Sequence, residues 1–380
     1  MAKICYVVTI PATIKAFFIP QLQYLSEHGL EVHVICSRDK ELQGLLGEKI
    51  KYIPVDMPRG ISVVGTIRAI RKLIQIFRVE KYDLVQYSTP NAGFNASVAC
   101  RISKIKIRNY HLMGLRYEGC RGIKRKILKF MEKISCKLST DIECVSDSNM
   151  ETAIKEKLFQ REKATVVWNG STGGVDLKRF DISKKKEWRY TLRNKYEIEN
   201  KNVIFGFVGR ITKDKGIDEL IGAFKNVLEY ESNSILMLIG SFEGEKELEQ
   251  EKLEWAKKEK KVIFISSVND IERYYAMLDV LVLPSYREGF GNVVIEAEAM
   301  GVPVIISDIP GPIDAMEDEK TGLKCKVKNQ EDLCKKMQQF LNEDFRKKCS
   351  IESRKFVEDS FDSKILCEKI YQRKKMLLEM

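Results

Sequence analysis

The chain has 380 residues, of which 44% are hydrophobic and 31% charged, a composition that excludes a disordered chain and supports two or three globular domains. Ile4–Ile10 is a strand-length apolar run without the pattern of a secretion signal, and no segment reaches the roughly 18 apolar residues of a membrane span, so we expect a cytoplasmic protein. The net charge of +11 lies wholly in residues 1–175, which hold 28 Lys and Arg against 16 Asp and Glu, and this asymmetry favours an anionic partner for the N-terminal half.

The N-terminal half alternates apolar strand patterns with helical patterns. The predicted strands are Ile4–Ile10, Glu31–Cys36, Leu84–Tyr87 and Asp141–Ser146, and the predicted helices include Ala16–His28 and Ile61–Arg78. Such βαβ succession indicates a doubly wound parallel sheet, which binds ligands at the carboxyl ends of its strands.

Arg121–Leu138 is predicted to be a basic amphipathic helix. Its apolar residues fall on one helical face: Ile123, Ile127, Phe130, Met131, Ile134 and Leu138. Seven Lys or Arg residues and one Glu cover the remainder. Two interpretations have equal weight: a surface helix whose apolar stripe packs on the sheet, or a segment, Arg121–Lys137, that binds an anionic membrane surface.

Histidines are few, and they form no evident catalytic set. His28 and His33 belong to a helix end and a strand, while His111 lies in the segment Asn109–Glu118 beside a strand end. No Ser-His-Asp or Cys-His arrangement can be assembled from these positions, which argues against nucleophilic hydrolase chemistry.

The C-terminal half repeats the alternation after a Gly- and Ser-rich link at Val166–Asp176. A buried strand, Val203–Gly209, leads into Arg210, Lys215 and Gly216 and then into a helix. Further strands are predicted at residues 234–240 and 262–266, with a helix at residues 271–278. The half therefore predicts a second parallel sheet.

The most informative segment is a strand, glycine loop, helix and strand unit. The strand Val280–Leu283 stops at Pro284, the loop contains Gly289 and Gly291, and the helical pattern runs over Asn292–Met300. Gly301 suits the helix end, and Val302–Ile306 is the next predicted strand.

Two glutamates in this unit predict a ligand with two kinds of polar group. Backbone amides at Gly291–Val293 would meet a phosphate with the positive end of the helix dipole. Glu288 stands in the loop and Glu296 about one turn inside the helix, where a carboxylate can accept hydrogen bonds from ribose hydroxyls. The pattern therefore favours a nucleotide diphosphate.

These motifs resemble those of the retaining family 4 glycosyltransferases of the GT-B fold, also called glycosyl transferases group 1. The matching motifs are E-G-F-G-x-x-x-x-E-A with G-x-P-V-I, G-R-x-x-x-x-K-G at Gly209–Gly216, the Asn169–Asp176 link, and T-G-x-L from Thr321. The resemblance covers nearly the full length of the chain. Within the family, the chain is similar to members that act in capsule and exopolysaccharide synthesis.

The resemblance implies an α/β chain with two Rossmann-like doubly wound domains facing a cleft. Residues 1–170 would bind the acceptor and residues 171–360 the nucleotide-sugar, while residues 361–380 would form a helix that crosses back to the first domain. Many family members carry a glycine pair in the loop after the first strand, whereas this chain has Pro11–Lys15 there.

The resemblance also implies site residues. Arg210, Lys215 and Glu288 would be catalytic. The residues expected to bind the nucleotide-sugar are Gly209, Gly289, Phe290, Gly291, Asn292, Val293 and Glu296. His111 and Thr13 are candidates for contact with donor or acceptor.

The implied activity is that of a hexosyltransferase that moves a hexose or N-acetylhexosamine from a UDP-sugar, with front-face attack and retention. The expected acceptor is a saccharide linked to undecaprenyl diphosphate in bacterial capsule, exopolysaccharide or O-antigen synthesis. The enzyme would be peripheral on the inner face of the cell membrane. No Asp-x-Asp motif occurs, and the cations expected at the diphosphate are side chains, so no metal cofactor is expected.

Two alternatives belong to other classes. A nucleotide-sugar 2-epimerase or phosphorylase shares the fold but needs a dedicated acid–base set or a pyridoxal lysine, and product analysis without an acceptor separates it. A nucleic-acid-binding protein would explain the basic half, but no binding motif is present, and salt-dependent RNA binding without turnover would identify it. We therefore expect no nucleic-acid partner.

Overall fold

A computed structural model describes residues 1–58, 60 and 62–380, so that Ile61, the first residue of a predicted helix, lies outside the described residues. The chain divides into two compact units. Unit 1 comprises Met1–Gly173 together with Ser363–Met380, and unit 2 comprises Gly174–Asp362.

Unit 1 is built on a seven-stranded parallel sheet. Its strands are β1 (Lys3–Val7), β2 (Glu31–Cys36), β3 (Ile50–Pro54), β4 (Leu84–Ser88), β5 (Ile107–Leu112), β6 (Asp141–Cys144) and β7 (Ala164–Val166). Its helices are α1 (Pro11–Phe17), α2 (Ile19–Glu27), α3 (Leu42–Leu46), α4 (Val63–Glu80), α5 (Pro90–Ile102), α6 (Gly122–Leu138) and α7 (Asp147–Lys155). The last helix of the chain, which we number α15 (Ser363–Glu379), also belongs to this unit.

The strand order of this sheet is β3-β2-β1-β4-β5-β6-β7. Since β1 pairs in parallel with both β2 and β4, the order reverses at β1, and ligands of such sheets bind at the carboxyl ends of the strands beside that point. One hydrophobic core lies under α4, α5 and α6, and another on the opposite face under α1, α2 and α15.

The predicted helix Ala16–His28 is two helices, and the predicted loop Pro11–Lys15 is helical. Pro11 occupies the first turn of α1, where its missing N–H is not needed. Pro20 cannot continue α1, because it lacks an N–H and its ring would clash with the carbonyl four residues earlier, so the chain breaks at Phe18 and restarts as α2. Phe18 is fully buried, whereas Phe17 is only half-buried.

Buried ion pairs attach α15 to the sheet of unit 1. The ammonium of Lys374 is fully buried and pairs with Glu143, while it also donates to the Asn109 side-chain oxygen at 3.3 Å. Arg373 pairs with Asp141 beside it. Breaking such a pair leaves a buried charge uncompensated, so the pairs bind this helix in one position.

Helix α6 does not bury the apolar stripe that its sequence predicts. The side chains of Ile123 and Phe130 are 72% and 63% exposed. The face against the core instead contains Leu128, Glu132, Ser135 and Cys136. The hydroxyl of Tyr110 donates to the Glu132 carboxyl, whose pKa burial raises to about 7.

Unit 2 is built on a six-stranded parallel sheet of order β10-β9-β8-β11-β12-β13. Its strands are β8 (Val203–Val208), β9 (Ser234–Ile239), β10 (Val262–Ile265), β11 (Val280–Leu283), β12 (Val304–Ser307) and β13 (Gly322–Cys325). Its helices are α8 (Lys185–Lys195), α9 (Ile217–Tyr230), α10 (Gln250–Lys258), α11 (Ile271–Met277), α12 (Asn292–Ala299), α13 (Gln330–Gln339) and α14 (Glu343–Ser360). The order reverses at β8, which pairs with both β9 and β11.

The prediction of an α/β chain with two Rossmann-like domains is therefore confirmed by the two parallel sheets. Across the described part of the chain, no helix has both the length and the apolar character that a membrane span requires.

Helix α12 contains a carboxyl group in the core of unit 2. Glu298 is fully buried, and neither of its carboxyl oxygens has a hydrogen-bonding partner among the described residues. The nearby Thr321 side chain opposes the effect of burial on the pKa of Glu298, while its hydroxyl donates to the carbonyl oxygen of Glu317. Burial therefore raises the pKa of Glu298 well above the ordinary value, which favours the protonated carboxyl in the folded protein.

We predict that Glu298→Met raises the melting temperature, and more at pH 8 than at pH 5. Below the ordinary carboxyl pKa both the folded and unfolded states are protonated, and as the pH rises only the unfolded state gains by ionising, so the wild type loses stability. An unsatisfied buried polar group costs about 1–3 kcal/mol. Each kcal/mol shifts the melting temperature by roughly 2–4 °C in a domain of this size.

Thermal unfolding of wild type and variant at both pH values measures this. Glu331→Met, at an exposed position of α13, is the matched control and should leave the pH dependence as in the wild type. A gain at Glu298 that is equal at both pH values would contradict the assignment.

Candidate active site

Two loops meet at the carboxyl ends of the central strands of unit 2. The first follows β8 and contains Arg210–Gly216, and the second follows β11 and contains Pro284–Gly291. Gly216 has φ +71°, and a Cβ at this position would overlap the carbonyl oxygen of Pro284. Only glycine permits this approach, which brings the two loops into backbone contact.

Polar contacts brace the loops against each other. The backbone N–H of Tyr286 donates to the carbonyl oxygen of Asp214 at 2.9 Å. The Arg287 guanidinium donates to the Asp214 carboxylate at 3.2 Å. The Tyr286 hydroxyl donates to Glu219, at the start of α9, at 2.7 Å. The two loops therefore form a single braced frame.

Within this frame Lys215 and Glu288 form an ion pair, through the Nζ of Lys215 and the Oε1 of Glu288. The hydroxyl of Ser285, which is fully buried, donates to the same Oε1 atom at 2.8 Å. Both donors thus converge on one oxygen. The Oε2 atom accepts no hydrogen bond from the residues that the structure describes, so it can accept one from a ligand.

Helix α12 begins directly after the second loop. Its N-cap, Gly291, has φ +89°, and Asn292 and Val293 form the first turn, so the positive end of the helix dipole lies at Gly289–Gly291. The side chain of Phe290 points elsewhere: it is buried and packs edge-on against Phe361, with 5.4 Å between ring centroids. Phe290 therefore contributes backbone, and not its ring, to this loop.

Glu296 lines a separate cavity of about 350 Å³ at the ends of β8 and β9. Its carboxylate accepts a hydrogen bond from the Tyr275 hydroxyl at 2.9 Å. Burial raises the pKa of Glu296 to about 7, and the Tyr275 hydrogen bond opposes the rise. Gly209 and Gly240 form the cavity wall, where a Cβ on Gly240 would overlap the Gly209 carbonyl oxygen. This wall is therefore bare backbone.

Arg210 is placed differently from Lys215. It lines the Glu296 cavity, and its guanidinium pairs with Glu243 at 3.0 Å on an exposed part of the surface. The structure thus brings Lys215 and Glu288 together, and Arg210 and Glu296 together, as two adjacent clusters.

The two candidate contact residues in unit 1, His111 and Thr13, are not part of the two clusters in unit 2. His111 lies within β5 and is buried; its Nε2 is 3.3 Å from the Thr172 hydroxyl, and its Nδ1 is 3.9 Å from Glu143. Burial lowers the pKa of His111 to about 4, so its ring is neutral at neutral pH. Thr13 is half-buried on α1. Their contact with donor or acceptor stays a prediction.

The sequence motifs assign no role to four residues of the site: Asp214, Tyr275, Ser285 and Arg287. Asp214 lies within one motif and Arg287 directly precedes another, but only the contact between the loops joins them. Tyr275 lies on α11, distant in sequence from the glutamate that it contacts. Ser285 could have been found, because it precedes Glu288 by three residues in a tight loop.

No group of three or more His, Cys, Asp and Glu side chains in the described ranges is arranged to hold a metal ion.

Comparison with known families matches both units. The "Glycosyl transferase 4-like" model matches residues 3–146, and the "Glycosyl transferases group 1" model matches residues 189–356. A curated relative, the capsular polysaccharide biosynthesis glycosyltransferase CapM of Staphylococcus aureus, is 34% identical over 370 residues, which cover 97% of this chain and 95% of CapM.

A second relative is the UDP-Gal:alpha-D-GlcNAc-diphosphoundecaprenol alpha-1,3-galactosyltransferase of Escherichia coli. It is 24% identical over 328 residues, which cover 84% of this chain and 83% of the relative. The crystal structure of Anabaena HepE in complex with UDP-glucose superposes with a TM-score of 0.79 at 18% identity, covering 99% of this chain and 100% of HepE, and shows the shared fold.

Both family models and the full-length similarity to CapM confirm the family predicted from the motifs: the chain belongs to the glycosyl transferases group 1 and is a glycosyltransferase of the GT-B fold.

Proposed function

We propose that the enzyme transfers a hexose or N-acetylhexosamine from a UDP-sugar to a saccharide linked to undecaprenyl diphosphate. The observation that carries this proposal is the pairing of the Glu296 cavity with the braced Lys215–Glu288 cluster at the strand ends of unit 2. A nucleoside would fill the first and a sugar diphosphate would meet the second. The UDP-glucose complex of HepE supports the donor class.

The acceptor and pathway are proposed from the relatives. The name of the E. coli relative gives a diphosphoundecaprenol acceptor, and that of CapM gives capsular polysaccharide biosynthesis. We assign the present enzyme to bacterial capsule, exopolysaccharide or O-antigen assembly on the same grounds.

The proposed mechanism places each charge where the reaction needs it. As the bond from the sugar C1 to the diphosphate breaks, negative charge grows on the phosphate oxygens, and Lys215, Arg210 and the α12 N-terminus oppose it. The acceptor oxygen attacks C1 from the face that the diphosphate leaves, so C1 retains its configuration. Its proton passes to the leaving phosphate, which completes the transfer without a carboxylate nucleophile.

Two glutamates hold the donor in this proposal. Glu288 offers its unoccupied Oε2 to a sugar hydroxyl, while Ser285 and Lys215 hold Oε1. Glu296 accepts hydrogen bonds from the ribose hydroxyls, and Tyr275 favours the ionised form that does so.

We also propose that the enzyme is peripheral on the inner face of the cell membrane through Arg121–Lys137. The exposed Ile123, Ile127 and Phe130 of α6 lie among the seven Lys and Arg residues of this segment. Cations attract an anionic leaflet, and the exposed apolar side chains can then enter it.

To test the donor site, we predict that Lys215→Ala and Glu296→Gln each lower UDP-sugar turnover by roughly 10- to 100-fold, because each loses a hydrogen bond to a charged group. Release of UDP from UDP-glucose, UDP-galactose and UDP-N-acetylglucosamine measures the loss. Lys213→Ala, two residues away and half exposed, is the matched control. Wild-type turnover in Lys215→Ala would refute the assignment, and an epimerised sugar formed without acceptor would indicate an epimerase.

We predict that Ser285→Ala reduces turnover by roughly tenfold or more through misorientation of Glu288. Binding of UDP should be unchanged, because Ser285 does not line the Glu296 cavity. Kinetics and calorimetry on the same preparations separate the two effects. Ser307→Ala, which removes another buried hydroxyl at the end of a strand in the same sheet, should retain turnover, and equal losses in both variants would indicate general destabilisation.

Catalysis is proposed to be independent of a metal ion, since Lys215 and Arg210 supply the positive charge at the diphosphate. Turnover should therefore be nearly unchanged in EDTA. A sharp loss that Mg²⁺ or Mn²⁺ restores would contradict the proposal.

For the membrane contact, we predict that changing Lys124, Lys126 and Lys133 to Glu weakens binding to anionic vesicles by a hundredfold or more. Each of these lysines is exposed, and each cation near an anionic leaflet contributes about 1 kcal/mol, so reversing three costs about 3 kcal/mol. Sedimentation with phosphatidylglycerol vesicles measures it. Glutamates at Lys186, Lys258 and Lys335, exposed on helices of unit 2, give the same net charge and should sediment as the wild type.

A further inference from the structure

Helix α4, like α6, has exposed apolar side chains together with exposed cations. Near its start, Val63 and Ile67 are exposed and Val64 is 69% exposed. Along its exposed face follow Arg68, Arg71, Lys72 and Arg78. In the described part of the chain none of these four cations has an ion-pair partner, and the only acidic residue of α4, Glu80, pairs with Lys3 and Lys51.

The two helices flank α5 on one face of the sheet. Helix α5 packs against both α4 and α6, and small side chains such as Ala92, Ala96 and Ala99 fill its buried surface. Most of α5 is buried, whereas the outer faces of α4 and α6 are exposed on either side of it.

The exposed apolar ends of α4 and α6 lie at the same edge of the sheet. Each helix connects two parallel strands, β3 to β4 and β5 to β6, so each begins beside the carboxyl ends of the strands. A hydrogen bond confirms this for α4: the Asn91 side chain, in the first turn of α5, donates to the carbonyl oxygen of Gly60 at 2.9 Å. The same edge carries Thr9 and Thr89, whose hydroxyls are 2.8 Å apart.

We infer that the start of α4, Val63–Ile67, is a second lipid-contacting segment, and that unit 1 meets an anionic bilayer with the strand-end edge formed by the starts of α4 and α6. This inference rests on the proposed membrane contact of α6 and extends it from one helix to an orientation. A single helix lying flat would leave the sheet free to roll about it, whereas two contacts on either side of α5 fix the edge toward the headgroups.

Charge selects a bilayer as the occupant of this surface. The exposed cations Arg68, Arg71, Lys124 and Lys126 are spread over the outer faces of the two helices and have no ion-pair partner among the described residues. Arg125 of α6, by contrast, pairs with Glu156. A fluid anionic leaflet can match such a spread of charge and accept apolar side chains at two separated points. The orientation brings the edge with Thr9 and Thr89 to the depth at which a membrane-bound acceptor carries its diphosphate.

Helix α4 provides its own control. Val79 is 77% exposed, like Val64, but lies fifteen residues further along the same helix, at roughly 1.5 Å per residue, and therefore at the opposite edge of the sheet. Val64→Glu and Val79→Glu make the same chemical change in the same helix at exposed sites. They place the new charge at opposite edges of the sheet.

The experiment measures binding of the full-length variants to vesicles of phosphatidylglycerol and phosphatidylethanolamine in equal parts. We expect Val64→Glu to weaken binding by roughly tenfold or more, and Val79→Glu by less than about twofold. In the tryptophan variants Val64→Trp and Val79→Trp, brominated phospholipid should quench the added fluorescence at position 64 and not at position 79. Release of UDP from a UDP-sugar without vesicles confirms that each variant is folded.

Equal weakening by the two glutamates, or equal quenching of the two tryptophans, would overturn the inferred orientation. If Val64→Glu binds as the wild type while the triple α6 variant does not, the contact rests on α6 alone, which overturns the inference and keeps the proposed membrane contact. If the wild type does not bind these vesicles at all, both fail. Turnover of the UDP-sugar is independent of these outcomes.

Discussion

The candidate site depends on the backbone contact between Gly216 and Pro284. Two strands of a parallel sheet deliver their following loops to the same edge, but the loops can share a ligand only if their backbones approach closely. The missing side chain at Gly216 allows that approach, and the contacts of Asp214 with Tyr286 and Arg287 then fix it. Lys215 and Glu288 belong to different loops, and this contact makes them one cluster.

The fold was predictable from apolar runs, glycine positions and helical periodicity, because each of these patterns depends on neighbouring residues in the sequence. Strand-length apolar runs ending at glycine loops identify β8 and β11, and the helical pattern from Asn292 identifies α12, within one residue of its observed end. The prediction failed where a local pattern had to compete with tertiary packing. Strand β3 has half-exposed residues and no clear run, and Pro20 breaks a helix that periodicity alone continues.

Side-chain orientation was the least predictable property. On α6, periodicity locates an apolar stripe. It does not predict that Leu128 and a hydrogen-bonded Glu132 pack against the core while Ile123 and Phe130 are exposed. The same limit applies at the site. Ser285 and Tyr275 act on the two glutamates through contacts that only the folded chain creates, and Phe290, which stands between two glycines, packs inward against Phe361.

The position of α15 has a consequence for the order in which the chain can be completed during synthesis. Asp141 and Glu143 precede unit 2 in the sequence, but Arg373 and Lys374, with which they form ion pairs, follow it. A ribosome therefore completes unit 2 before it completes unit 1. Until the last helix emerges, the first sheet holds two carboxylates whose cations are still untranslated, and the half of the protein that is translated first is the last to be finished.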